Sequence, residues 1–217
     1  MNQPIDRILL KEVVPNAMQH QQFNATSVWN NPITIAKENT LIIAPSGTGK
    51  TSLLGYIYGL RNDYSGTIEL GTQNIRKQKL SWWSAIRQKQ LGVIFQDLRL
   101  IPHLTIGENL ILKNNLTKHK SIEEIKNMVA SVGLADKWNQ SCGTLSYGQQ
   151  QRVAIVRSLL QPMDFLVADE PFSHIDDGNI EKAKELILTD CNKQNTALLL
   201  FSLGSDYGIT FNTKLTL

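Results

Sequence analysis

LIIAPSGTGKTS, residues 41–52, packs an apolar run, a loop and the start of a helix into one unbroken stretch. Leu41, Ile42 and Ile43 read as a strand, Ala44 to Gly49 as a tight loop, and Lys50 onward as a helix. The pattern G-x-x-x-x-G-K-[ST] turns backbone N–H groups and a helix N-terminus toward one anion, so it cradles phosphate. Gly47 and Gly49, set among Pro45, Ser46 and Thr48, let the backbone approach without a Cβ in the way. Lys50 is placed to contact the β- and γ-phosphates of a nucleotide and the Thr51 hydroxyl to ligate Mg²⁺, with Ser52 next along the helix. Ala44 stands where the pattern has its first Gly, which costs little as long as that residue keeps a negative φ.

FLVADEP, residues 165–171, supplies the second half of such a site. Phe165 to Ala168 form an apolar run of the kind that becomes a buried parallel strand, and Asp169 and Glu170 emerge at its carboxyl end. Ligands of open α/β sheets bind at that edge. Alone, the string is equally a strand followed by a solvated acidic turn. Beside a phosphate loop, Asp169 is the candidate holder of Mg²⁺ and Glu170 the candidate base for an attacking water.

LSYGQQQR, residues 145–152, is the most specific string in the chain. Together with the two others it resembles the ATP-binding cassette (ABC) ATPases, in which LSGGQ opens a helix that meets the γ-phosphate held by a second subunit. The resemblance, over about residues 27–205, implies that Leu145, Ser146, Tyr147, Gly148 and Gln149 form this trans signature, with Tyr147 replacing its first Gly. Gln96, in GVIFQDLRL, matches the glutamine that reaches Mg²⁺ in the family's Q-loop. SHID, residues 173–176, matches the D-loop, which puts Asp176 at a dimer interface. Glu170, Lys50 and Gln96 are then the residues expected to act on the reaction, and Thr51, Gln96 and Asp169 those expected around the metal.

Of two further family features, one is replaced and one is left open between two residues. A switch His is expected after the strand Ala197–Phe201, but Leu203 occupies its position and no His follows His174. An apolar side chain cannot stabilise developing charge, so hydrolysis is expected to be slow or partner-dependent. The aromatic residue that stacks on adenine is either Phe23 or Trp29, or both rings are core.

The 217 residues, 41% of them hydrophobic, suffice for one compact unit. Strands are expected near 41–43, 92–95, 165–168 and 197–201, with Ile8–Val14, Val28–Trp29 and Ile33–Ile35 as an antiparallel edge. From about Asp97 the pattern becomes helical, in LTIGENL, SIEEIKNMVASVGL and QQRVAIVRSLL. The expected fold class is α/β, a P-loop NTPase of ABC ATPase type: a mostly parallel sheet with flanking helices, an N-terminal antiparallel β subdomain and an inserted helical subdomain. Residues 1–96 and 161–217 would form the core of a single domain, and 97–160 the helical signature subdomain.

No stretch reaches the ~20 apolar residues of a membrane span, and MNQPIDRILLKEVVP lacks the apolar centre of a signal peptide. The two cysteines read as reduced thiols, and a net charge of +3 gives no argument for nucleic acid. The resemblance implies ATP and Mg²⁺ as ligands, a second ABC ATPase subunit and an integral membrane subunit as partners, and a cytoplasmic location at the inner face of the cell membrane. Soluble relatives acting on DNA or ribosomes have two fused cassettes or long coiled coils, and neither is visible here. A weakly hydrolysing structural subunit is the third reading, kept open by Leu203. GVIFQDLRLIPHLTIGENL is most similar to the cell-division, lipoprotein-release and macrolide-export group (FtsE, LolD and MacB).

Overall fold

The computed structural model describes residues 3–217, so Met1 and Asn2, which open the N-terminal stretch read above, lie outside the described residues. In chain order the elements are β1 (Arg7–Pro15), β2 (Ile33–Ala36), β3 (Thr40–Ile43), α1 (Lys50–Ile57), β4 (Tyr64–Leu70), β5 (Gln73–Asn74), α2 (Leu80–Lys89), β6 (Leu91–Ile94), α3 (Ile106–Asn114), α4 (Ile122–Ser131), α5 (Tyr147–Ser158), β7 (Phe165–Asp169), α6 (Asp177–Gln194), β8 (Ala197–Ser202) and β9 (Thr213–Thr216). A five-stranded sheet in the order β6-β7-β8-β3-β9 is parallel throughout, and a four-stranded antiparallel sheet runs β2-β1-β4-β5.

The parallel sheet is buried on both faces, which explains why its central strands read as unbroken apolar runs. Alternate residues enter two separate cores. Leu166, Ala168, Leu198 and Leu200 pack with Leu110, Val129, Val156 and Ile187 of the helices α3 to α6. Phe165, Val167, Leu199 and Phe201 pack on the other face with Leu53 of α1, Trp83 of α2 and Ile8, Leu10 and Ile68 of the antiparallel sheet. A residue-by-residue period of two thus sorts each strand between the two layers.

Helix starts between β6 and β7 are fixed by capping. Thr105, Ser121 and Ser146 each accept a hydrogen bond from the N–H three residues on, from Glu108, Glu124 and Gln149, whose side chains accept in return from the capping residue's N–H. α6 is capped by Asp176, which accepts from Asn179 N–H, and ends at Asn195 in the left-handed region. A nearly buried ion pair between Lys120, just before α4, and Asp190 of α6 joins the two helical stretches.

Two expectations change. Val28–Trp29 is not a strand: only Ser27 makes a single bridge, to Thr216, and both following side chains turn into the core. The helix expected over LTIGENL starts at Ile106 instead of Leu104, because Thr105 is its cap, and residues 97–105 ahead of it form a loop that contains Pro102. Among the described residues, no helix is long and apolar enough to cross a membrane.

Candidate nucleotide site

The strand order places β8 between β3 and β7, so the loop after β3 and the acids after β7 flank one strand end. That end pins both. Ser202 C=O accepts from Ala44 N–H at 2.9 Å, and Phe201 C=O accepts from Glu170 N–H at 3.1 Å. Ala44 is buried and keeps a negative φ, so the missing first glycine is accommodated without strain.

Gly47 and Gly49 take φ of 82° and 98°, which their lack of a Cβ permits. Pro45, Ser46 and Gly47 are exposed at the loop's crest, and Thr48 Oγ1 donates to Pro45 C=O at 2.8 Å. Beneath the loop lies Trp29, 1% exposed, whose Nε1–H donates to Thr48 C=O at 2.9 Å. A Cβ on Gly49 would come within 2.9 Å of its ring. Trp29 is therefore a floor to the loop, with no face free for a base. Phe23 packs only partly against the same core. The flooring role carries no sequence signal, because nothing in a lone Trp tells which side of a loop it occupies.

Lys50 Nζ meets Glu170 Oε1 at 2.9 Å, with both side chains nearly buried. Thr51 Oγ1 lies 3.4 Å from Asp169 Oδ2, while Asp169 Oδ1 is buried with no hydrogen-bond partner. Burial is the first cause that raises the Asp169 pKa; the Lys50 charge opposes it and the Glu170 charge adds to it. An orphaned carboxylate oxygen beside a hydroxyl fits a small divalent cation that takes its remaining ligands from phosphate and water. Among the described residues, no cluster of three or more His, Cys, Asp or Glu is placed for a metal. Glu170 itself sits at φ 47°, a left-handed conformation that costs a non-glycine residue about 1 kcal/mol or more.

The signature string divides. Leu145 is buried within its own helical layer. Ser146 spends its hydroxyl on the helix cap, accepting from Gln149 N–H at 3.3 Å, and Gln149 Oε1 accepts from Ser146 N–H at 3.1 Å. Gly148 rests on the D-loop backbone, where a Cβ would stand 2.5 Å from His174 C=O. Tyr147 is half exposed and its hydroxyl donates to Gln96 C=O at 3.1 Å. Thr51, Gln96, Tyr147 and Asp169 share one cavity of about 460 Å³. The Gln96 side chain is exposed beside it. Ser52 accepts from Arg61 at 3.0 Å, away from the acids. Asp176 caps α6 at the far end of the D-loop.

Two side chains at the site were given no role by the motifs, Gln151 although it lies within LSYGQQQR and Tyr207 because it lies in no motif. Gln151, 1% exposed, donates to Glu170 C=O at 3.1 Å and accepts from His174 N–H at 3.0 Å, so α5 holds the acid strand's end and the D-loop together. Tyr207, edge-on to Phe172 at 4.8 Å, lies near Glu170 and Ser202; burial first, then the Glu170 charge, raises its phenol, and the Ser202 side chain opposes them. Leu203, at the expected His position, is 59% exposed.

A parallel sheet with a phosphate loop and two acids at its carboxyl edge defines a P-loop nucleotide-binding cassette. The model of the family described as "ABC transporter" matches residues 33–173, and the chain belongs to that family as one of its ATP-binding domains. It is 36% identical over 162 residues to the lipoprotein-releasing system ATP-binding protein LolD of Legionella pneumophila (strain Lens), covering 73% of this chain and 71% of that protein. Across the curated relatives compared, the aligned stretch spans 46% to 75% of their own lengths. Among solved structures, a dimeric bacterial ABC transporter cassette matches with a TM-score of 0.80 at 24% identity, covering 96% of this chain and 94% of that one. A post-hydrolysis dimer of an ATP-binding cassette bound to ADP and Pi matches at 0.73 and 25% identity, covering 89% and 87%.

Proposed function

We propose that the chain binds and hydrolyses ATP as the nucleotide-binding subunit of an ABC transporter or transporter-like machine, pairing around ATP to drive a separate integral membrane subunit. The observation that carries this is the meeting of the glycine loop, Lys50, Thr51, Asp169 and Glu170 at one sheet edge, with Lys50 already on Glu170 at 2.9 Å. The solved cassette bound to ADP and Pi supports the same reaction.

In this reading the backbone N–H groups around Ser46 to Lys50 cradle the phosphates. Lys50 leaves Glu170 for the β- and γ-phosphates, and the freed carboxylate takes a proton from the attacking water. Thr51, Asp169 and Gln96 would hold Mg²⁺, which neutralises phosphate charge when bound. Ser146 and Gly148, at the N-terminus of α5, face the γ-phosphate of a second copy or a different cassette, with Asp176 at that interface. Leu203 offers no donor to the γ-phosphate held by this chain's own loop, so turnover is slow alone, and a partner cassette with a His would supply what is missing.

The membrane partner has a matching surface. An apolar cavity of about 310 Å³ between the Q-loop and α3 is lined by Phe95, Leu98, Ile101, Leu112 and Leu116. Leu112 and Leu116 are more than half exposed, which suits a cytosolic helix of a membrane subunit. The name of the lipoprotein-releasing relative supports such a role, and the subunit would sit at the inner membrane face through its partner.

The test is to capture Glu170→Gln protein with MgATP from detergent-solubilised membranes. A dimer that co-purifies with a multi-span membrane protein is expected. Recovery of ribosomes or DNA-maintenance proteins instead would overturn the transporter reading, and unchanged ATP affinity in Lys50→Ala would overturn the phosphate-loop assignment.

A further inference from the structure

The family pattern has Gly at position 147, yet here a tyrosine occupies it and touches two other loops of the site. The Tyr147 hydroxyl donates to Gln96 C=O at 3.1 Å, and its ring meets the His174 imidazole edge-on at 4.4 Å between centroids. α5 also grips the same loop from its last turn, where the Arg157 guanidinium donates to Leu98 C=O at 2.7 Å and to Arg99 C=O at 2.5 Å. Leu98 and Arg99 both stand at left-handed φ, 53° and 52°, a conformation that persists only where surroundings impose it. On the other side His174 is tied down as well. Its N–H donates to Gln151 Oε1, its Nδ1 lies 2.9 Å from Ser173 Oγ, and its C=O presses on Gly148. Gln151 in turn holds the Glu170 carbonyl.

We infer that Tyr147, backed by His174, is a positioning residue that clamps the Q-loop and the D-loop to the first turn of α5, so that Gln96, the signature turn and the backbone of Glu170 move as one body. A glycine at 147 would leave Gln96 C=O and the His174 ring without this contact, and the hydrogen bonds of α5 to the Q-loop would be reduced to those of Arg157. The clamp does not touch the glycine loop or Lys50, so most of the phosphate cradle lies outside it, and it bears on bound nucleotide only through Gln96 on the metal side. Its effect falls on how often the Q-loop glutamine and the acid are in place together. The functional half of the inference rests on the hydrolytic reading above; the clamp itself does not.

The experiment compares Tyr147→Phe, His174→Ala and His174→Phe with the parent protein. Hydrogen exchange is followed at residues 96–99 and 146–149 without nucleotide, and steady-state ATP hydrolysis is measured with MgATP. Loss of one hydrogen bond should speed exchange in both segments about fivefold in Tyr147→Phe and lower kcat by a similar factor, with KM for ATP within twofold. His174→Ala should reproduce the loss and His174→Phe, which keeps an aromatic edge, should restore it; a merely structural loss would lower thermal stability without this split or rescue. Exchange in Tyr147→Phe equal to the parent's overturns the clamp whatever hydrolysis does. Faster exchange with unchanged kcat overturns the positioning role. If the parent shows no hydrolysis, faster exchange supports the clamp and the hydrolytic reading falls on its own.

Discussion

Single side chains settle how the phosphate loop holds its shape. Gly47 and Gly49 both adopt positive φ, but nothing stands within 4 Å of a Cβ on Gly47, whereas one on Gly49 meets the Trp29 ring. Gly49→Ala therefore combines backbone strain with a clash against a tryptophan fixed by its own hydrogen bond, and should cost about 2–3 kcal/mol. Gly47→Ala should cost about 1 kcal/mol, from strain alone. Calorimetry of the nucleotide-free proteins checks the order, and equal losses would remove Trp29 as the loop's floor. Leu203 poses the opposite case, an exposed side chain whose chemistry rather than packing is in question. Leu203→His should leave stability within about 0.5 kcal/mol and raise ATP turnover roughly tenfold or more by restoring a donor. Turnover no higher than the parent's would mean that the donor is supplied elsewhere.

At the level of elements, α5 carries a doubled burden at its first turn. Ser146 is the helix cap in the isolated chain and, in the proposed dimer, a phosphate contact. The two roles separate by substitution. Ser146→Ala should lower stability by about 1 kcal/mol, while Ser146→Asp keeps a capping oxygen and holds stability near the parent's but repels a phosphate. Urea denaturation reads the first role and MgATP-dependent dimerisation of the Glu170→Gln protein the second. Helices such as this one were legible because cap and period coincide: Ser121 with Glu124, and Ser146 with Gln149, precede runs of helical spacing. The strands Phe165–Asp169 and Ala197–Ser202 were legible because burial on both faces leaves no polar interruption. α2 was not, since LSWWSAIRQK buries only Trp83 and Ile86. β9 was not, since Thr213–Thr216 is a four-residue edge strand with no buried side chain. Val28 and Trp29 resemble a strand by propensity, yet what decides their conformation is the pocket under the phosphate loop, a contact made 19 residues along the chain. Tyr207 reaches Glu170 only through tertiary folding, and no spacing rule anticipates it.

For the molecule as a whole, the two cores make the fold resistant to thiol chemistry and sensitive to alkali. Cys142 and Cys191 are buried, and burial pushes the Cys191 thiol up to about 12. In the unfolded chain that thiol titrates near about 8.5. A pKa raised by folding stabilises the fold fully below the unfolded value, and that contribution is lost as pH rises from about 8.5 toward the folded value. The urea midpoint should therefore decline above pH 9, less so in Cys191→Ala, and a thiol reagent at pH 8 should label neither cysteine until denaturant is added. Prompt labelling of the native protein would contradict the packing around α6. The left-handed Glu170 bears on the molecule in another way. Glycine or asparagine at that position would relax the backbone, and Lys50 would keep as a neighbour the Asp169 carboxylate on which its charge already acts. A library of this chain sorted only for survival of heating should thus enrich Gly and Asn at 170, and its hardiest members should be the ones that have given up turnover.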